Sequence, residues 1–93
     1  MIRTVSISRR AGKDLGKCPA HIVQSFMAWV GAVQLDGLES VRRLPGYHDE
    51  PLLGEWKGHR SVRLSRSYRA IYVIRQDRSI EFVLVETVTK HEY

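Results

Sequence analysis

Residues 60–93 read RSVRLSRSYRAIYVIRQDRSIEFVLVETVTKHEY, three apolar runs divided by short polar breaks. In residues 60–65, Val62 and Leu64 take one parity and Ser61, Arg63 and Ser65 the other, as in a strand with a period of two. Residues 68–75 put Tyr68, Ala70, Tyr72 and Ile74 on one side and Arg69, Ile71 and Val73 on the other. Both sides are largely apolar, which suits a central strand buried on two faces. Gln76, Asp77 and Arg78 read as a hairpin turn. Residues 79–89 then place Ile80, Phe82, Leu84 and Val88 on one face and Val83 and Val85 on the other. The spacing predicts a meander of three strands.

Upstream, Ile2, Val5 and Ile7 alternate with polar residues and predict a first strand over residues 2–8. Ser8 can cap a short helix that Gly16 ends. Pro19 suits the start of a second helix, in which Ile22, Phe26, Trp29, Val30 and Val33 recur at three- and four-residue spacing. Trp29 belongs to this stripe and reads as core. Gly37 supplies the stop. Residues 39–58 hold Pro45, Gly46, Pro51, Gly54 and Gly58 and predict a long connection, with Leu44, Leu52, Leu53 and Trp56 to pin it. The expected architecture is a single domain, residues 1–93, of the α+β class. Its order is β-α-α-β-β-β, with two helices packed on one face of a four-stranded, mainly antiparallel sheet.

The chain has 93 residues, of which 43% are apolar, enough for one modest core. Cys18 is the only cysteine, so no internal disulfide can form, and a lone thiol suits a reducing, cytoplasmic setting. No run approaches the roughly 18 to 20 apolar residues that cross a bilayer, so no membrane partner is expected. The net charge of +5 is unevenly distributed. Residues 56–78 hold seven basic side chains against one acid (+6); the remainder has eight against nine (−1). A local surplus of this kind attracts a polyanion.

Parity divides the arginines of residues 60–69. Arg63 and Arg69 are expected on the open face of the sheet. Arg60 and Arg66 have the opposite parity and are expected at the rim, where strand ends release side chains to solvent. The histidines, acids and Cys18 have no metal-ligand spacing, and no phosphate-binding glycine loop is present, so neither metal nor cofactor is expected. Metal-free RNA cleavage fits the inventory. The ribose 2′-OH is its own nucleophile; the protein must deprotonate it, stabilise the crowded phosphorane and protonate the leaving 5′-oxygen. Glu50, His59, His91 and Tyr93 supply titratable groups, and Arg63 and Arg69 supply cations that match phosphate oxygens. Lys57, His59, Arg60, Arg63, Arg66 and Lys90 are the candidate substrate-binding residues. Glu50 read alone is a polar loop residue, and His59 read alone caps a strand edge.

The run Leu52-Leu53-Gly54-Glu55-Trp56-Lys57-Gly58, the Arg63-Leu64 pair, the Tyr68-Arg69-Ala70-Ile71-Tyr72 strand and the Lys90-His91-Glu92-Tyr93 ending resemble the RelE/ParE toxin superfamily. The pattern is similar to its RelE-like branch, and within it to YoeB- and HigB-like mRNA interferases. The resemblance implies the toxin of a bacterial type II toxin–antitoxin module, a ribosome-dependent, metal-independent endoribonuclease. Its implied partners are mRNA in the ribosomal A site, the ribosome and a cognate, acidic antitoxin. It implies Glu50 as general base, Arg69 on the scissile phosphate, His91 as general acid and Tyr93 as an orienting aromatic residue. Ser61 and Arg63 stand where RelE carries lysines, and Glu92 separates the terminal His and Tyr that are adjacent in YoeB. A ParE-like inhibitor of DNA gyrase on the same fold is the alternative.

Overall fold

The computed structural model describes residues 1–90. Strand β1 (Thr4–Ile7) leads into helix α1 (Arg9–Gly16), helix α2 (Ala20–Asp36) and a short helix α3 (Leu38–Val41). Four further strands follow: β2 (Glu50–Pro51), β3 (Arg60–Arg63), β4 (Tyr68–Asp77) and β5 (Ile80–Lys90). They form one sheet in the order β1-β5-β4-β3-β2. β1 runs parallel to β5, and every other pairing is antiparallel. The α+β class and the meander of β3 to β5 stand as expected.

Two expectations are corrected. The sheet has five strands rather than four, because Glu50 and Pro51 pair with Ser61 and Arg60 at the β3 edge. A two-residue strand has no periodicity to read, and Pro51 argues against one except at an edge. Among the described residues there are also three α-helices rather than two. Gly37 ends α2 at φ 86, and Leu38 immediately starts α3. A Cβ on residue 37 would run into the Met1 side chain, so glycine answers both the backbone and the space.

The core lies between the helices and one face of the sheet. Ile22, Phe26, Trp29 and Val33 of α2 are fully buried against Val62, Ala70, Tyr72, Val83 and Val85. Burying a large apolar side chain contributes about 1.5 to 3 kcal/mol, so this cluster dominates stability. Trp29 is core, as read, with its ring 5.6 Å from that of Tyr72.

The register shifts once. Ile71 pairs with Thr87, but Tyr72 pairs with Val85, so Glu86 is an extra residue in β5. Val88 therefore joins Val83 and Val85 in the core, on the face opposite to the one its parity predicts. Helix α1 secures the irregular segment. The Ser8 hydroxyl accepts the Ala11 N–H at 3.0 Å and donates to the Glu86 carbonyl at 2.8 Å. Asp14 Oδ2 accepts the Thr87 hydroxyl at 2.6 Å and the Val88 N–H at 3.0 Å, donors that lie beyond the reach of β1.

Candidate active site

The second face of the sheet carries the open site. A shallow cavity of about 260 Å³ is lined by Glu50, Leu52, Trp56, Ser61, Arg69, Ile71 and Thr89. These side chains come from β2, β3, β4, β5 and the segment between β2 and β3. The register explains the convergence. Glu50 lies opposite Ser61, Ser61 opposite Ile71, and Arg69 opposite Thr89. Arg69 Nη1 donates to Ser61 Oγ at 3.1 Å and stands 3.7 Å from Glu50 Oε1. The first is a hydrogen bond; the second is an ion pair without one. The Glu50 side chain is 60% exposed while that of Arg69 is 16% exposed. The carboxylate can therefore accept a proton from a ligand, and the guanidinium holds a fixed positive charge beside it.

Behind this face lies a second carboxylate. His48 adopts a left-handed backbone (φ 44), and the chain then turns Asp49 toward the helices. Its side chain is fully buried. Asp49 Oδ1 accepts Arg60 Nε at 2.6 Å and Oδ2 accepts the Tyr72 hydroxyl at 2.6 Å. Burial first, and then Asp49, push the Tyr72 phenol well above its ordinary value. Burial alone would weaken the Arg60 charge, but the hydrogen bond to Asp49 and its charge outweigh it and raise the guanidinium pKa.

Arg60 is thus not a rim residue. It shares the helix side with Tyr72, its cross-strand partner, and is committed to Asp49. Arg63 is in register with Arg69 but, against the expectation from parity, does not line the groove with it; it lines a larger cavity of about 440 Å³ with Ala28 of α2, Leu44, Tyr47 and Arg66, and its Nε is buried without a partner. Arg66 is exposed in the turn between β3 and β4. Lys57 is exposed after the tight turn Gly54–Trp56.

His59 lies under Trp56, with ring centroids 5.0 Å apart and edge to face. Its Nε2 is 3.5 Å from Glu86 Oε2, and neither ring nitrogen makes a hydrogen bond. That contact is an ion pair only when the imidazole is protonated. Lys90 is exposed and in register with Tyr68, one residue beyond the Thr89–Arg69 pair. His91 and Tyr93 lie outside the described residues. Sequence reasoning gave no site role to Asp49, Tyr72, Glu86 or Thr89. Ser61 carried a signal, since it shares the parity of Arg63. Asp49 carried none, because its partners lie 11 and 23 residues away.

No family model matches the chain, and no curated protein matches it in sequence. Solved structures do match. YafQ from E. coli strain BL21(DE3) is 18% identical with a TM-score of 0.72, over 95% of this chain and 92% of that one. A YoeB/ParE toxin from Agrobacterium tumefaciens is 18% identical with a TM-score of 0.68, over 96% and 99%. A chain of the toxin–antitoxin complex RelBE2 from Mycobacterium tuberculosis is 26% identical with a TM-score of 0.60, over 99% and 100%. These likenesses give the chain the RelE/YoeB-like toxin fold.

Proposed function

We propose that this chain is the toxin of a type II toxin–antitoxin module and that it cleaves mRNA on the ribosome. The observation that carries the reading is the open groove in which an exposed carboxylate, Glu50, stands 3.7 Å from a sheltered guanidinium, Arg69. Its setting supports the reading: the groove sits on a fold shared with YafQ, with a YoeB/ParE toxin and with a chain of the toxin–antitoxin complex RelBE2.

Glu50 removes the proton from the ribose 2′-OH, and the resulting oxyanion attacks the adjacent phosphorus. Arg69, oriented by its bond to Ser61, neutralises charge on the phosphorane oxygens. The bond from phosphorus to the 5′-oxygen breaks, leaving a 2′,3′-cyclic phosphate. His91 protonates the departing 5′-oxygen, and Tyr93 orients the substrate by stacking. Lys57, Arg66 and Lys90, all exposed, supply contacts and positive potential along the backbone, and the Arg63 charge adds to that potential; the ring nitrogens of His59 are buried and make no such contact. The reaction draws on general acid–base and electrostatic catalysis by side chains, and its substrate supplies the nucleophile.

The partner in this reading is an acidic antitoxin drawn to the +6 segment. The RelBE2 structure, a toxin–antitoxin complex, supports a partner of this kind. The test is cleavage of mRNA on programmed ribosomes by the wild type, Arg69→Ala and His91→Ala. The wild type should cut and both variants should fail. Inhibition of DNA supercoiling without mRNA cleavage would replace this reading with the gyrase-directed one.

A further inference from the structure

Glu50 has no packing of its own to hold it. Its side chain is mostly exposed, its pairing with Arg69 is loose, and its strand is two residues long. A base must nevertheless sit within a fraction of an ångström of the proton it takes. Something other than Glu50 has to fix this edge of the sheet.

The residue before it is anchored firmly. The Asp49 side chain is fully buried, and each of its oxygens accepts a 2.6 Å bond, one from Arg60 Nε and one from the Tyr72 hydroxyl. Arg60 and Tyr72 are a cross-strand pair on β3 and β4. Tyr72 is itself fully buried against Trp29. Asp49 therefore ties the start of β2 to the two strands that carry Ser61 and Arg69. Successive residues of an extended chain point to opposite faces. Fixing the Asp49 carboxylate behind the sheet consequently fixes the direction in which Glu50 leaves it in front.

We propose that Asp49, held by Arg60 and Tyr72, is a positioning residue that sets the Glu50 carboxylate opposite Arg69. This inference rests on the reading of Glu50 as the base. It gives Arg60 a task different from substrate binding: its guanidinium acts through Asp49 and touches no RNA. Asp49 takes no part in proton transfer, because both of its oxygens are occupied and it has no solvent path to the groove.

The test is a double-mutant cycle on mRNA cleavage by programmed ribosomes. Tyr72→Phe removes one of the two bonds to Asp49 with little change in volume. Alone, it should lower kcat about ten-fold, the order set by one charge-assisted hydrogen bond, with KM unchanged. In a Glu50→Gln background it should lower the residual rate no further, since the group it positions is gone. Equal losses in both backgrounds, or a rise in KM without a fall in kcat, would overturn the proposal in favour of a general structural role. Full activity of Glu50→Gln itself would instead overturn the base assignment, and the inference with it. If Tyr72→Phe does not fold, Arg60→Lys completes the same cycle. It keeps the charge but loses the Nε donor that Asp49 uses.

Discussion

Asp49 carries its carboxylate through the sheet to the helix side, where Arg60 and Tyr72 saturate it at 2.6 Å each. One residue later, Glu50 leaves its carboxylate mostly in solvent, 3.7 Å from an arginine already bonded to Ser61. Both pairs are an acid with an arginine. The buried pair uses up its hydrogen-bonding capacity and gains geometry; the exposed pair keeps its capacity free for a ligand. Availability, rather than charge, separates a supporting ion pair from a reactive one.

The contrast is broken most severely from the open side. Arg69→Ala should reduce cleavage of ribosome-bound mRNA about 100- to 1,000-fold, as when a donor aimed at developing charge is lost. Its thermal melt should stay close to that of the wild type, because Arg69 is not part of the apolar core. Asp49→Ala acts on the closed side. It strands a partly buried guanidinium and the buried Tyr72 hydroxyl, and should cost about 2 kcal/mol of stability in urea unfolding. Glu50→Ala, one residue away, should shift stability by no more than about 0.5 kcal/mol while lowering cleavage about 100-fold. Comparable losses of stability at positions 49 and 50 would erase the distinction.

Alkali probes the closed side, together with the Cys18 thiol, which burial and then Asp14 also hold above its ordinary value. The folded Tyr72 phenol holds its proton more tightly than the unfolded one. Above the ordinary tyrosine value of about 10 the folded state therefore binds more protons, and stability falls as pH rises. Tyr72→Phe should flatten that fall, measured as urea midpoints between about pH 8 and about pH 11. The smallest effect concerns an intermediate case. Glu39 accepts the Ile2 N–H at 3.1 and 3.3 Å. Its own backbone N–H and that of Ile2 hold its carboxyl below the usual value, against a smaller opposing effect of burial. That stability is present above the ordinary glutamate range and disappears as pH falls through the lower folded value. Glu39→Gln should make the acid limb of the stability profile slightly shallower.

Much of the frame was legible because it is periodic. The stripe from Ile22 to Val33 and the alternation around Val62, Ala70 and Tyr72 announce which sides are buried, and those sides form the core. Parity also puts Arg69 on the open face. It fails at two kinds of place. A bulge adds a residue without changing composition, so Val88 changes faces after Glu86 with no mark in the sequence. A short strand held by tertiary contacts has no pattern at all. Nothing in His48-Asp49-Glu50 distinguishes the acid that is buried from the acid that is free. That division depends on Arg60 and Tyr72 meeting across β3 and β4.

The parallel pairing of β1 with β5 has a consequence for the order of assembly. Thr4 pairs with Phe82 and Ile7 with Val85, so β1 waits until β5 has been made. Closing so long a loop comes late in folding and slows it. During synthesis β3 and β4 emerge before β5, leaving the flank of β4 unpaired. A chain arrested there exposes a long apolar edge, open to capture by another polypeptide.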